Sequence, residues 1–242
     1  MFFRKVKRLQ ERLTNRIGEL GISASARRVR HEGLTYLTIQ KIKRIEKTIK
    51  DVLDSGVKGD VVEFGIALGG SAIILAGFAR NAHRRFQGFD VFGMIPEPGS
   101  EKDDEGSKAR YRTIASGKST GINGEIYYGY RSNLFDEVCN SFKNAGVPVD
   151  GGMIQLHKGL FEQTVPSAIT GQISFAHVDC DWYDPVRFCL NSIADLVPGG
   201  GAIVLDDYND YGGCRTATDE FLKARPEFEF QNGANVILRR RR

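Results

Sequence analysis

Two short, mostly apolar runs in the second half of the chain, 173–178 and 201–205, are each followed by two aspartates. Runs of this length and composition are typical of buried strands in a parallel sheet. Ligands of open α/β sheets bind outside the carboxyl ends of the strands, so we expect both pairs to face one crevice. The aspartates that follow the two runs are Asp179, Asp181, Asp206 and Asp207.

Acids that converge at one crevice point to a metal site. Three such carboxylates repel one another unless a cation or shared protons compensate their charge. Their oxygens are hard ligands, which suit Mg²⁺, Mn²⁺ or Ca²⁺ rather than a metal that prefers sulfur. The alternative is that some of the aspartates cap the helices that follow the two strands.

From residue 60 onward, apolar strands alternate with helical segments, which predicts a doubly wound α/β sheet. A chain of 242 residues accommodates one such domain. The predicted strands are 61–65, 86–89, 152–156, 173–178 and 201–205, with a closing hairpin at 228–230 and 234–238. The predicted helices are 71–81, 131–145, 184–196 and 213–224.

Two amphipathic segments precede the first strand. Residues 1–22 place basic side chains among apolar ones at helical spacing, and residues 36–55 have an apolar helical face. We expect 1–55 to form a helical extension of a domain that spans 56–242. The first segment is expected to pack on the domain or on a second subunit, with a membrane surface or a nucleic acid as the alternatives.

Two further segments stand outside the strand–helix alternation. Residues 93–125 are too long for an ordinary connection and contain prolines, glycines and many charges, which predicts a lid over the substrate or, alternatively, a mobile loop. Residues 239–242 are all arginine. They are expected to be a solvated tail, or else a contact for phosphate or anionic lipid.

The first predicted strand leads into a glycine turn and a helix. Gly65 allows a tight turn, while Gly69 and Gly70 would let a ligand approach bare backbone. Ser71 can cap the helix. Glu63, just before the turn, disfavours a pyrophosphate and suits a cationic ligand such as the sulfonium and amino group of S-adenosylmethionine.

The second predicted strand is followed by Asp90, about 20 residues past the glycine turn, where an acid can accept hydrogen bonds from both ribose hydroxyls. The turn and the acid, in this order and at this spacing, favour an adenosyl cofactor. The alternative is a structural turn with an unrelated capping aspartate.

Composition excludes several classes of protein. The net charge of +4 is low for a dedicated nucleic-acid binder. The four cysteines have no C-x-x-C spacing, so they indicate neither a zinc site nor a redox pair and are expected to be reduced thiols of a cytoplasmic protein. No apolar stretch approaches the ~20 residues that span a bilayer.

Several motifs together give the chain a specific resemblance. They are E-F-G at 63–65 with G-G-S at 69–71, F-D-V-F at 89–92 with Pro96, K-G-L-F at 158–161 with T-V-P at 164–166, H-V-D-C-D-W-Y-D at 177–184, P-G-G at 198–200, and D-D-Y at 206–208 with C-R-T-A at 214–217 and Phe221. Over residues 33–225 the chain resembles the macrocin O-methyltransferase family, metal-dependent class I enzymes that methylate sugar hydroxyls, with relatives among polysaccharide-modifying enzymes.

The resemblance implies a Rossmann-like class I methyltransferase sheet, S-adenosylmethionine and Mg²⁺. The positions that match the cofactor site are Glu63, Gly65, Ser71 and Asp90. The positions that match the metal ligands are Asp181, Asp206 and Asp207. Coordination of the acceptor hydroxyl would lower its pKa and aim it at the methyl carbon. Asp181 would serve as ligand and base at once, with His157 and His177 as the other candidate bases.

We therefore expect an S-adenosylmethionine- and Mg²⁺-dependent O-methyltransferase that acts on a sugar, a glycosylated small molecule or a polysaccharide precursor. A homodimer and peripheral membrane contact through the basic ends are the other interactions considered. A glycosyltransferase with a D-x-D motif at Asp179 and Asp181 is the main alternative, but it leaves Glu63 and the glycine turn unexplained. A nicotinamide oxidoreductase and a non-catalytic cofactor-binding scaffold are the remaining ones.

Overall fold

A computed structural model describes residues 18–242 of the chain. The helix predicted over 1–22 therefore lies almost wholly outside the described residues. The strands are β1 (Asp60–Phe64), β2 (Phe86–Asp90), β3 (Ile154–Lys158), β4 (Ile173–Val178), β5 (Ala202–Leu205), β6 (Phe228–Gln231) and β7 (Val236–Arg240). The helices are α1 (Ala24–His31), α2 (Ile39–Asp54), α3 (Gly70–Asn81), α4 (Glu105–Ala115), α5 (Leu134–Asn144), α6 (Phe161–Ala168), α7 (Tyr183–Ile193) and α8 (Gly212–Ala224).

The strands form one sheet in the order β3-β2-β1-β4-β5-β7-β6. The first five are parallel, and β7 is antiparallel to both β5 and β6. The predicted α/β fold is thus confirmed, including the closing hairpin. All residues of β4 and β5 are buried, which explains why their side chains are apolar except for Ser174 and His177.

Helices cover both faces of the sheet. Neighbouring residues of a strand point to opposite faces, and in β1 Val61 packs with α1, α2, α3 and α5 whereas Val62 packs with α6, α7 and α8. Helix α2 illustrates the local cause: its apolar side chains recur every three or four residues, and the Thr38 hydroxyl accepts a hydrogen bond from Lys41 N at 3.2 Å to start the helix. The carboxyl edge of the sheet stays open between the two layers.

Helix α6 was not predicted. Pro166 lies inside this eight-residue helix. Proline removes a backbone donor and is typical of helix ends, so the sequence pattern argues against a helix there. Tertiary packing overrides this preference, because Val165 is buried in the apolar cluster formed with α7 and α8.

The long insertion at 93–125 is partly helical, since it contains α4. Two adjacent aspartates of the insertion bind the beginnings of two helices that pack on the sheet. Asp103 Oδ1 accepts a hydrogen bond from Tyr183 N at 2.8 Å, and Asp104 Oδ2 accepts one from Gly212 N at 2.9 Å. These donors are the first residues of α7 and α8, which begin just after the aspartate pairs. The attachment therefore holds the insertion beside the carboxyl edge.

The expectation of a separate basic tail at 239–242 is wrong for its first two residues, which belong to β7. Arg239 Nη1 donates to Gly200 O at 3.1 Å, and Arg240 Nη1 donates to Val197 O at 2.6 Å. The pairing of β7 with β5 extends beyond the apolar residues of β7, since Arg239 lies opposite Ala202 in β5. Among the described helices, none combines the length and apolar character needed to cross a membrane.

We predict that Gly65→Ala lowers the free energy of unfolding by about 3 kcal/mol or more. Gly65 has a φ of 90°, and a Cβ there would collide with the carbonyl oxygen of Asp179. Urea denaturation monitored by circular dichroism measures the change. Gly77→Ala in α3 is the matched control, because its Cβ meets nothing within 4 Å. Equal stability of the two variants would contradict the proposed tight contact between β1 and β4.

Candidate active site

A cavity of about 670 Å³ lies at the carboxyl ends of β1, β2, β4 and β5. Its lining combines residues at or just after the ends of these strands, residues of the 93–125 insertion, residues within 34–41 ahead of the first strand, and further side chains such as Ser71 and Tyr127. The residues at or just after the strand ends include Gly65, Ile66, Asp90, Asp179, Asp181, Asp206 and Asp207.

The predicted acids come together here with one addition. Oxygens of Asp179, Asp181 and Asp207 lie within 4.8 Å of one another, and so do oxygens of Asp206, Asp207 and Asp210. Asp207 belongs to both groups and links the ends of β4 and β5. Asp210 was not predicted; its backbone N–H donates to Asp207 O at 3.0 Å in the turn that follows, and its spacing after Asp207 was the available signal.

The backbone turns Asp181 toward this cluster. Asp181 has a φ of 58°, a left-handed conformation that aspartate tolerates better than most residues. Its N–H donates to Asp207 Oδ2 at 3.1 Å. Asp206 N donates to Val178 O at 3.0 Å, so the end of β4 also positions the start of the second acidic pair.

The acids share more negative charge than the cavity readily holds. Burial raises the pKa of Asp181 to about 6. Burial and the neighbouring carboxylates raise the pKa values of Asp179 and Asp207 well above their usual range. The residues fit a hard divalent cation, because the described structure gives the buried Oδ1 of Asp206 no hydrogen-bond partner and a cation would relieve the repulsion.

Glu63 lies behind this cluster rather than in the cavity. Its side chain is fully buried, and Oε1 lies 2.7 Å from Nδ1 of the equally buried His177. His177 Nε2 in turn lies 3.8 Å from Asp206 Oδ1. Although burial alone would lower it, the Asp206 and Glu63 carboxylates raise the pKa of His177 to about 10. Oε1 of Glu63 therefore contacts a protein cation, and the contact of Glu63 with a cofactor remains a prediction.

Part of the glycine turn faces the cavity, and the rest packs against other segments of the protein. Gly65 lines the cavity, but Gly69 and Gly70 do not. Gly70 N donates to Leu34 O at 3.0 Å, and a side chain at Gly69 would press on Val138. The expectation that both glycines expose backbone to a ligand is not what the structure shows, because other parts of the protein fill that space.

Ser71 and Asp90 do line the cavity. Ser71 lies in the first turn of α3, where Gly69 rather than Ser71 is the N-cap residue. Asp90 Oδ2 accepts hydrogen bonds from Ile66 N at 2.7 Å and Ala67 N at 3.0 Å. The acid at the end of β2 thus fixes the glycine turn as well as facing the cavity.

Asp181 is the candidate base that reaches the cavity. His177 is enclosed between two carboxylates, as described above. His157 stacks on Phe89 with ring centroids 4.6 Å apart, does not line the cavity, and has its pKa lowered by burial. Neither histidine is placed to touch an acceptor.

Two cationic residues and several aromatic ones complete the lining and were not predicted. Lys41 on α2 reaches the acid cluster, and Arg110 on α4 has its guanidinium carbon 5.7 Å from the Tyr127 ring centroid. The aromatic residues of the lining are Tyr36, Tyr127, Tyr128, Phe161, Trp182 and Tyr211. Phe161 and Trp182 belong to the motifs that carry the family resemblance, whereas no sequence signal separates the other residues from ordinary helix and loop positions.

The chain matches known methyltransferases over most of its length. The sequence model of the macrocin O-methyltransferase (TylF) family matches residues 23–227. The demethyldecarbamoylnovobiocin O-methyltransferase of Streptomyces niveus is 27% identical over 191 residues, which are 77% of this chain and 67% of the relative.

A second relative and a solved structure agree with this match. The 8-demethyl-8-(2,3-dimethoxy-alpha-L-rhamnosyl)-tetracenomycin-C 4'-O-methyltransferase of Streptomyces olivaceus is 26% identical over 77% of this chain and 67% of its own length. The O-methyltransferase NovP superposes with a TM-score of 0.71 at 25% identity, over 86% of this chain and 83% of that one. The chain therefore belongs to the macrocin O-methyltransferase (TylF) family, whose members are S-adenosylmethionine-dependent O-methyltransferases.

Proposed function

We propose that this protein is a Mg²⁺-dependent O-methyltransferase that methylates a hydroxyl of a sugar, a glycosylated small molecule or a polysaccharide precursor. Metal dependence is supported above all by the buried, mutually repelling acids at the ends of β4 and β5. The sugar acceptor is supported by the relatives, one of which is named for a methoxylated rhamnosyl group.

We propose that the cofactor occupies the part of the cavity formed by β1 and β2. S-Adenosylmethionine, when bound, supplies an electrophilic methyl group on a sulfonium. Gly65, Ser71 and Asp90 line this part, and Asp90 holds the turn that would enclose the cofactor. Glu63, Gly69 and Gly70 are proposed to support this wall from behind.

We propose Asp181, Asp206 and Asp207 as the Mg²⁺ ligands. Mg²⁺, when bound, supplies a Lewis acid that makes an acceptor hydroxyl more acidic. The carboxylate oxygens of the three aspartates come from the ends of β4 and β5. Hydrogen bonds fix these two ends relative to each other, as in the contact of Asp181 N with Asp207 Oδ2. Asp179 adds a further carboxylate within the same group.

The proposed reaction moves one methyl group and one proton. The acceptor oxygen forms a bond to the methyl carbon while the bond between carbon and sulfur breaks, and neutral S-adenosylhomocysteine remains. Asp181 lines the cavity and is proposed to take the hydroxyl proton. Trp182 and Tyr211, with ring centroids 5.2 Å apart, form an aromatic wall beside these acids that would orient the acceptor and exclude water.

Because the chain belongs to a methyltransferase family, the glycosyltransferase and oxidoreductase alternatives are excluded. The homodimer and the membrane contact through the basic ends remain predictions. We also propose a cytoplasmic location, which the reduced state of Cys139, Cys180, Cys189 and Cys214 supports.

We predict that Asp181→Asn lowers methyl transfer at least about 1,000-fold and weakens Mn²⁺ binding about tenfold, because it removes the base and one metal ligand. Transfer of labelled methyl groups to a panel of methyl glycosides measures the first effect, and paramagnetic resonance of free Mn²⁺ measures the second. Asp136→Asn, an exposed position on α5, is the control. Retention of full activity by Asp181→Asn would refute the proposed role.

We predict that Asp90→Asn weakens binding of S-adenosylhomocysteine about tenfold or more, because an amide oxygen cannot replace a carboxylate that accepts three backbone hydrogen bonds. Calorimetric titration without added metal measures the affinity. The Asp181→Asn variant should bind this ligand within about threefold of the wild type. An Asp90→Asn variant with wild-type affinity would show that the cofactor does not depend on this turn.

A further inference from the structure

Lys41 reaches the acid cluster from a helix that precedes the sheet. Its Nζ donates to Asp206 Oδ2 at 2.7 Å, to Asp210 Oδ2 at 2.8 Å and to the main-chain oxygen of Asp206 at 3.0 Å. The Lys41 side chain is only 14% exposed, so these charge-assisted hydrogen bonds are largely shielded from water. An ammonium group is thus a fixed part of the acid cluster.

The position of this ammonium matters because the acids form two overlapping groups. One contains Asp179, Asp181 and Asp207, and the other contains Asp206, Asp207 and Asp210. Lys41 binds two of the three members of the second group. The first group has no comparable lysine or arginine within 4.0 Å in the described part of the chain. The Lys41 ammonium therefore serves the second group, where His177 Nε2 also lies 3.8 Å from Asp206 Oδ1, and the first group is left to a ligand.

The two carboxylate oxygens of Asp206 have different surroundings. Its Oδ2 is held by Lys41, whereas Oδ1 is buried and accepts no hydrogen bond from residues 18–242. An ammonium 2.7 Å from Oδ2 neutralises much of the charge of that oxygen and repels a cation, which makes Oδ2 a poor metal ligand while Lys41 is in place. Asp206 therefore offers mainly Oδ1 to a cation, and Asp210 offers mainly the oxygen that Lys41 does not hold.

This restriction distinguishes between divalent cations. Mg²⁺ takes six ligands in a strict octahedron and usually keeps several waters, so it needs few carboxylate oxygens. Ca²⁺ takes six to eight oxygens and favours bidentate carboxylates. A cluster that withholds one oxygen of Asp206 and one of Asp210 suits the smaller ion.

We propose that Lys41 sets the metal selectivity of the site, because it occupies the oxygens of Asp206 and Asp210 that would otherwise complete a Ca²⁺ shell. This inference rests on the metal site of the proposed function. Lys41 is a selectivity residue, and it takes no part in the proposed proton or methyl transfer.

The test compares full-length wild type with Lys41→Met by calorimetric titration with Ca²⁺ and with Mg²⁺. Loss of the ammonium frees two oxygens and removes a like charge, so we expect the ratio of Ca²⁺ to Mg²⁺ affinity to rise about tenfold or more. Lys47→Met on the same helix is the matched control, since its exposed ammonium pairs with Asp51 and not with the cluster. Its ratio should equal that of the wild type.

A second substitution separates selectivity from general damage. Asp210→Asn alone should leave the ratio within about threefold of the wild type, because Lys41 already holds this carboxylate. Added to Lys41→Met, it should remove most of the gain in Ca²⁺ affinity. If Lys41→Met does not fold, as judged by its melting curve, Lys41→Gln replaces it and removes the charge while keeping an amide donor.

An unchanged ratio in Lys41→Met, or an equal loss of both ions, would overturn the inference. The failure of the proposed function looks different, because wild-type protein would then bind neither ion, and the metal site and the inference would fall together. Binding of Mg²⁺ by the wild type with no shift on loss of Lys41 would refute the selectivity role alone.

Discussion

Five aspartates share the carboxyl edge of the sheet at the ends of β4 and β5, and their charges repel one another in a largely buried cavity. Such an arrangement persists only where cations or shared protons compensate it. The protein supplies two, the Lys41 ammonium on one side and the His177 imidazole, held by Glu63, on the other. The carboxylates between them are left for a metal, and the cofactor turn lies next to them along the same edge.

Distant segments of the chain build this edge jointly. The cavity is lined both by residues within 34–41, which precede the first strand, and by residues of the 93–125 insertion. Asp103 and Asp104 tie the insertion to the first residues of α7 and α8, the helices that follow the two acidic pairs. These contacts attach the insertion within a few residues of both acidic pairs.

The sequence predicts the strands to within two residues and brings the acids to one edge, because buried parallel strands have an unmistakable apolar pattern. It does not predict the contact of Glu63 with His177, since spacing shows where a side chain lies along the chain but not whether a histidine on the neighbouring strand binds it. Lys41 is missed for the same reason, because its contacts join residues 165 or more positions apart, which no local pattern records. Asp210, three residues after Asp207, was within reach of a local pattern.

If the acidic edge holds a metal that methyl transfer needs, removal of that metal must abolish activity. Protein treated with EDTA would be assayed for transfer of labelled methyl groups from S-adenosylmethionine to a panel of methyl glycosides, before and after addition of Mg²⁺. We expect activity to be lost with EDTA and restored by Mg²⁺, while S-adenosylhomocysteine binds in both states. Full activity in EDTA would contradict this expectation.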